Sequence, residues 1–238
     1  AIMDNLLVGL SFAFTGTHGN YNNPGGEFDI YAYRFGPYLS WEPIERWTID
    51  FSITGAFSQI SNSRSTITGT ASADYDGYDM SVYLGSEYDV VPDSQWYVAP
   101  LLGVNYIYFH QQGFTESGAG ASNLVVDAQD TNSLDLRVGG RFAWIGKVNE
   151  SLTVVPEAVI AYRRELLADS NSDIAARFVN AGSGFSVTRG PDAENGIEAG
   201  AGITFIIDKN LSLYARYDGV FYSNSINHYA TVGVNFGF

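Results

Sequence analysis

Apolar residues alternate with small or polar residues along most of this chain. The last twelve residues show the pattern clearly, because Ala230, Val232, Val234, Phe236 and Phe238 are separated by Thr, Gly and Asn. A two-residue period predicts a strand with one apolar and one polar face. An aromatic edge strand invites aggregation in water, whereas a closed membrane barrel has no free edge. The pattern therefore favours an all-β fold, a transmembrane antiparallel up-and-down β-barrel.

The same alternation predicts ten long strands. They are expected near residues 5–15, 28–41, 47–60, 78–91, 95–110, 132–145, 151–164, 193–207, 211–222 and 227–238. Residues 174–190 are expected to add a short hairpin, hinged near Asn180 to Gly184, which brings the count to 12 strands. An even number places both chain ends in the periplasm.

Two kinds of connection alternate along the chain. Short turns are expected at 42–46, 92–94, 147–150 and 208–210, and long polar loops around 16–26, 61–77, 112–131 and 166–173. Short periplasmic turns and long external loops are typical of outer-membrane barrels. No segment shows a sustained helical period, so helices are expected to be minor or absent.

The charged residues of the strands fall mostly on the face opposite the apolar one. The predicted lumen-lining residues are Asp50, Asp79, Glu87, Asp135, Arg137, Arg141, Glu157, Arg163, Glu198, Arg216 and Asp218. One interpretation is a hydrated wall of mixed charge along which a polypeptide or a plug helix slides. The other is a set of cross-strand ion pairs that only stiffens the wall. Glycines among the strands, such as those in 196–202, are expected to leave space in the lumen.

A soluble lipocalin-like barrel or a β-sandwich would show the same alternation, with the apolar face turned inward. Aromatic residues near the strand ends favour the membrane instead, since Tyr and Trp collect at lipid–water interfaces. These aromatic residues are Trp41, Trp47, Tyr88, Trp96, Trp144 and Tyr222.

Composition narrows the possible functions. The 238 residues are 45% apolar and 15% aromatic but only 16% charged, with a net charge of −14 and no cysteine. No apolar run is long enough for a transmembrane helix. The negative charge argues against binding nucleic acid, and the absence of cysteine excludes disulfides and thiolate metal sites. One domain, residues 1–238, is expected, and no secretory signal opens the sequence.

Catalytic and metal-binding motifs are not found. His18, His110 and His228 lack the spacing of a zinc site, and no Gly-x-Ser-x-Gly elbow is present. The run from Asp74 to Asp79 resembles the start of a calcium loop but lacks its closing glutamate. No catalytic residue, metal or cofactor is therefore predicted, and a barrel hydrolase is the least favoured hypothesis.

Residues 95–238 resemble the β-domain of autotransporters, the translocators of type V secretion. The resemblance is carried by Gly113 to Ala119, Leu124 to Val126, Ala161 to Glu165, and Leu211 to Gly219 with His228 and a closing Phe. It implies a twelve-stranded barrel in the outer membrane that anchors an N-terminal passenger and helps export it to the cell surface. A passenger-less barrel that acts as anchor, scaffold or passive pore is the alternative.

The terminal Val232, Val234, Phe236 and Phe238 resemble the signal read by the barrel-assembly machinery. The expected partners are that machinery, outer-membrane lipid with lipopolysaccharide, and the N-terminal passenger. The helix and passenger that precede the first strand in this family are absent from the 238 residues, in which the first strand is expected almost at Ala1.

Overall fold

The computed structural model describes residues 5–22, 25–167, 173–188, 194–207, 211–223 and 225–236. Nearly all of them belong to β-strands. In chain order the strands are β1 (Leu6–Tyr21), β2 (Gly26–Ile44), β3 (Trp47–Thr66), β4 (Gly69–Tyr88), β5 (Trp96–Gln111), β6 (Phe114–Thr115), β7 (Leu124–Val126), β8 (Gln129–Trp144), β9 (Gly146–Lys147), β10 (Leu152–Glu165), β11 (Asp173–Phe178), β12 (Phe185–Thr188), β13 (Asn195–Ile207), β14 (Leu211–Tyr222) and β15 (Ile226–Phe236).

Ten long strands form one antiparallel sheet, which we call the wall. Their order is β1-β2-β3-β4-β5-β8-β10-β13-β14-β15, and the short β9 pairs with β10. The sheet curls into a half-barrel. Among the described residues, β1 is paired only with β2, and β15 only with β14. The predicted all-β membrane-barrel class is confirmed.

One face of the wall is apolar and exposed. Phe12 is 71% exposed, Val138 46% and Phe51 37%, whereas Asp135 on the other face is only 7% exposed. A continuous apolar surface of this size is unstable in water but is the surface that a barrel presents to lipid. The soluble barrel and the sandwich, which bury their apolar face, are therefore excluded.

Aromatic rings mark the two edges of this apolar belt. All four tryptophans, Trp41, Trp47, Trp96 and Trp144, are exposed near the ends that carry the short turns. The apolar belt extends over ten residues along a strand, for example from Trp96 to Tyr106 in β5. Ten residues extend about 33 Å along a strand, or about 25 Å vertically at the usual tilt, which matches the lipid-facing band of outer-membrane barrels. Tyr222 does not join the belt, because it lies on the opposite face over Gly196.

Several strands continue beyond the belt, where long loops were predicted. β1 runs to Tyr21, and β3 and β4 remain paired from Trp47↔Tyr88 to Thr66↔Gly69. The prediction of loops at 16–26 and 61–77 was therefore wrong for most of these residues. These outer strand segments carry polar residues on both faces, as expected for paired strands surrounded by water. The backbone pairing that begins in the belt continues into them.

The hairpin predicted in 174–190 forms, but not in the wall. β11 and β12 pair with each other, and their turn covers the expected hinge at Asn180 to Gly184. However, β10 pairs directly with β13 from Leu152↔Ile207 to Arg164↔Asn195, which leaves no edge for an inserted hairpin. Strands of six and four residues are also too short to cross a bilayer. The described wall therefore has ten long strands rather than twelve.

The hairpin belongs instead to a second sheet of order β12-β11-β7-β6, built from the two long external connections. Within the described residues the only helical element is a 3₁₀ turn at Gly120–Ser122, and no helix there could cross a membrane. The predicted turn at 208–210 lies outside the described residues.

Candidate functional site

The charged face of the wall is the candidate functional site, and we call it the inner face. All eleven predicted lumen-lining residues lie on it. Strand register places Asp50 beside Gly85, Asp79 beside Ala56, Asp135 beside Asn105, and Arg137 beside Arg163, all on the side opposite the exposed apolar residues. Glu87, Arg141, Glu157, Glu198, Arg216 and Asp218 are on the same side, as their mutual contacts show.

Arg34 of β2 is a further residue of this face that was not predicted. Its guanidinium is 2.6 Å from Asp79 Oδ1 of β4 and also donates to Thr54 Oγ1 at 2.9 Å. Residues 31, 33 and 35 are aromatic, so the alternation in β2 was sufficient to place Arg34 on the inner face.

Many ion pairs of this face pass over an intervening strand. Arg34 on β2 reaches Asp79 on β4, and the residue between them in register is Ala56 of β3. Two strand intervals are about 10 Å, which an arginine can bridge on the concave side only if the residue between is small. Ala56 is accordingly buried beneath the pair.

The same arrangement recurs across the middle of the wall. Arg141 of β8 pairs with Glu87 of β4 at 3.0 Å, across β5. Arg137 of β8 pairs with Glu198 of β13 at 2.6 Å, across the buried Ala161 of β10. The small residues of the inner face thus leave room for ion pairs to reach across an intervening strand.

Shared partners join several pairs into a chain. Arg141 also contacts Glu157 of β10 at 3.4 Å, and Glu157 in turn is 2.6 Å from Arg216 of β14. Arg216 completes the chain with Asp218 at 2.7 Å. The chain Glu87–Arg141–Glu157–Arg216–Asp218 therefore crosses the wall from β4 to β14.

The other six predicted residues stand apart from this chain, and the pairs of Asp79 with Arg34 and of Arg137 with Glu198 are described above. Asp135 pairs with Arg163 at 3.1 Å, and both line a cavity of about 210 Å³ with Tyr83, Gly103, Asn105 and Arg137. A polar cavity of that size has room for several water molecules. Asp50 is half-buried and forms no ion pair with another described residue.

Tyrosine rings fill the space that inner-face glycines leave. Tyr38 lies over Gly9, Tyr83 over Gly85 and Gly103, Tyr214 over Gly233, and Tyr222 over Gly196. A Cβ added to Gly85 would be 2.3 Å from the Tyr83 hydroxyl oxygen. The sequence had suggested that such glycines leave space in the lumen. At these positions the space is filled by neighbouring tyrosine side chains.

The three histidines lie on the apolar face, just beyond the outer edge of the belt. His18 is 2.9 Å from Asp29, His110 is 2.7 Å from Asp130, and His228 is 2.6 Å from the Tyr217 hydroxyl. No group of three or more metal-ligating side chains occurs among the described residues. The run resembling a calcium loop is part of β4, where alternation turns Asp74 and Asp76 away from Asp79.

Asp130 also accepts a hydrogen bond of 2.6 Å from the Tyr108 hydroxyl. This bond, and then the one from His110, lowers the pKa of the Asp130 carboxyl, and the same contact with Asp130 raises the pKa of Tyr108. Both side chains lie beyond Tyr106 and therefore outside the segments that span the membrane.

Val232, Val234 and Phe236 of the predicted assembly signal follow one another along the apolar face of β15, and all three are strongly exposed. Phe238 lies outside the described residues.

Comparison with known proteins places the chain in a family. A sequence model of the autotransporter β-domain matches residues 1–218. The solved translocator domain of autotransporter NalP from Neisseria meningitidis is 16% identical with a TM-score of 0.78, over 100% of this chain and 76% of that one. The β-domain of the Bordetella autotransporter BrkA is 17% identical with a TM-score of 0.72, over 98% and 84%. No curated protein sequence matches.

A third solved structure, the transport unit of AIDA-I from Escherichia coli, is 16% identical with a TM-score of 0.60, over 98% of this chain and 76% of that one.

The fold and its charged inner face define an outer-membrane barrel of the translocator class. The chain belongs to the autotransporter β-domain family. Its place is the cell outer membrane, and its function is the export of an N-terminal passenger, as the family resemblance had implied.

Proposed function

We propose that the inner face is a hydrated, largely neutralised wall along which the passenger moves during export. The observation that carries this proposal is the chain of ion pairs from Glu87 through Arg141, Glu157 and Arg216 to Asp218. Each arginine of the chain contacts two carboxylates, so its charge is satisfied by the wall. A moving polypeptide then meets few single charges to which it could bind firmly.

The composition of this face also sets its ion preference. Seven predicted carboxylates face four predicted arginines and Arg34, so acidic groups remain in excess. Asp50 contributes to that excess, since no described arginine pairs with it. A narrow lumen with surplus carboxylates attracts cations and excludes anions. The proposed lumen is therefore weakly cation-selective.

Ion selectivity of the purified barrel in planar bilayers tests this. Arg141→Gln removes the arginine partner of Glu87 and the longer of the two arginine contacts of Glu157. The cation-to-anion permeability ratio should therefore rise about two- to threefold, with a smaller rise for Arg137→Gln. Arg164→Gln is the matched control, because Arg164 is exposed on the opposite face beside Glu194. If the ion pairs only stiffen a dry wall, Arg141→Gln will leave the selectivity unchanged, which would refute the proposal.

We extend the proposal to the partners. Val232, Val234 and Phe236 form an extended apolar row on a strand whose second edge is unpaired among the described residues, which suits recognition by strand addition in the barrel-assembly machinery. The outer ends of the apolar face carry His, Asp and Tyr side chains that suit the lipopolysaccharide headgroup region.

The barrel itself is proposed to be non-enzymatic. Each histidine is engaged with an aspartate or a tyrosine on the lipid-facing side, away from the charged inner face. A catalytic base needs a nucleophile within hydrogen-bond reach, and no serine is hydrogen-bonded to a histidine in the described part of the chain. Absence of esterase and peptidase turnover by the purified barrel is the expected result.

A further inference from the structure

The small sheet β6–β7–β11–β12 joins two distant parts of the wall on its inner side. The segment 112–127, which contains β6 and β7, lies against the protruding ends of β3 and β4. β11 and β12 belong to the connection between β10 and β13. The strands β5, β8 and β10 separate these two attachment points along the wall.

Burial shows on which side of the wall the segment lies. Ala71 is 0% exposed and Ala73 8%, and both are on the inner face of β4, since they share the parity of Asp79. In this outer part β4 has no β5 beside it, because the β4–β5 pairing ends at Gly77↔Gln111. The segment 112–127 takes this free edge, where Ser117 and Ser72 exchange two backbone hydrogen bonds of 2.9 Å. On the inner face the Phe114 ring stacks on Tyr75 at 4.1 Å.

One ion pair, between the half-buried Arg64 and the buried Glu116, anchors the segment. Arg64 of β3 donates from Nε to Glu116 Oε1 at 2.8 Å and from Nη2 to Oε2 at 2.6 Å. The Glu116 side chain is only 3% exposed and also accepts the backbone N–H of Leu124 at 2.7 Å. Arg64 further donates to the Ser122 carbonyl at 2.7 Å. A two-point Arg–carboxylate contact fixes direction as well as distance.

The far end of the segment 112–127 pairs with the hairpin formed by β11 and β12. Leu124, Val125 and Val126 of β7 pair with Phe178, Arg177 and Ala176 of β11. Val179 N also donates to the Asn123 carbonyl at 2.9 Å. The small sheet therefore links the outer ends of β3 and β4 with the connection between β10 and β13.

We propose that this sheet is a fixed bridge across the outer exit of the lumen and that Arg64 and Glu116 are its positioning residues. The pair sets the width of the opening through which the passenger leaves. The proposal rests on the passenger path along the inner face. It differs from a mobile lid, because the Glu116 carboxylate is buried and backbone pairing continues from its segment to the hairpin.

Unit conductance in planar bilayers measures the opening. Glu116→Gln and Arg64→Ala should each raise the conductance about twofold or make it fluctuate between levels, because the bridge loses its anchor. Asp74→Asn is the matched control, since Asp74 is exposed on the same protruding part of β4 but on its other face. Wild-type conductance in both anchor variants would overturn the proposal.

The absence of cysteine allows a second arm. A Ser72→Cys/Ser117→Cys pair, oxidised to a disulfide, should return the conductance of Glu116→Gln to the wild-type value. In the otherwise wild-type, passenger-carrying protein the same disulfide should leave surface display of the passenger intact, because a fixed bridge need not move. Loss of display on oxidation, reversed by reductant, would show a moving lid and overturn the fixed bridge.

A third readout separates this proposal from the proposed lumen. If no variant conducts ions, the proposed hydrated lumen is refuted. Proteolysis still tests whether the Arg64–Glu116 pair anchors the segment 112–127. Glu116→Gln should then be cleaved by a nonspecific protease within 112–128 at least tenfold faster than wild type and Asp74→Asn. Equal cleavage rates would refute the anchor whatever the conductance.

Discussion

Arg216 and Glu157 form an ion pair of 2.6 Å although an entire strand, β13, lies between theirs. Gly202 is the β13 residue in register with both. A Cβ at Gly202 would lie 3.1 Å from Glu157 Oε1 and 3.2 Å from the Ala215 carbonyl oxygen. The glycine therefore provides the passage that the two side chains need.

Gly202→Val is expected to force this pair apart and to lower the free energy of unfolding by about 1–3 kcal/mol, the usual range for overpacking. Denaturant unfolding of the barrel in detergent, followed by the mobility of unheated samples on gels, measures the change. Ala201→Val is the control, because Ala201 is exposed on the lipid face one residue away and should shift stability by less than about 0.5 kcal/mol. Equal effects of the two substitutions would contradict the role given to Gly202.

The Tyr83 ring over Gly85 gives a second prediction. Gly85→Ala places a methyl group 2.3 Å from the Tyr83 hydroxyl oxygen and 2.8 Å from its Cζ, so the ring must leave its site. We expect a loss of about 1–3 kcal/mol in unfolding free energy. In the Tyr83→Ala background the same Gly85→Ala change should cost little, and this double-mutant comparison separates the contact from the strand's own preference. A loss of the same size in both backgrounds would exclude the contact.

The hydrogen bond from Tyr108 to Asp130 predicts a pH effect. The pKa of the Asp130 carboxyl is lowered in the folded barrel, so its contribution to stability is present above its unfolded value of about 3.9 and is lost as pH falls through the lower folded value. Tyr108 should conversely titrate above its usual pKa of 10.0. Tyrosine ring carbon chemical shifts during a pH titration measure this, with Tyr108→Phe to assign the signal. In Asp130→Asn the Tyr108 signal should move back toward the ordinary value, and an unchanged midpoint would refute the contact.

The terminal strand gives a prediction in cells. Phe236→Ser, or deletion of Phe238, should lower the amount of barrel inserted into the outer membrane severalfold, because the assembly machinery loses part of the apolar row that we propose it binds. Barrels that do insert should keep nearly wild-type thermal stability. Asn235→Ser, one residue away on the opposite face, is the control. Normal insertion of both variants would argue against the assembly signal.

Strand positions and faces were predictable because a two-residue period is a local property. Leu211–Tyr222 was predicted to the residue, and Arg137 and Arg141 were assigned to the correct face from alternation alone. Arg34 obeyed the same rule and could have been found by it. Errors arose where the pattern is polar on both faces, as in Thr66 and Gly69, since water-exposed strand and loop there have the same composition.

Alternation thus determined which side of each strand meets lipid, and so the membrane, the barrel class and the charged inner face. Only the tertiary structure decided which strands are neighbours: that β10 pairs with β13, that β11 pairs with β7, and that Arg64 meets Glu116. These contacts join residues far apart in the chain, and a period of two carries no information about them. Their specificity comes from backbone edges, small residues and buried charges that meet only after the sheet has curved.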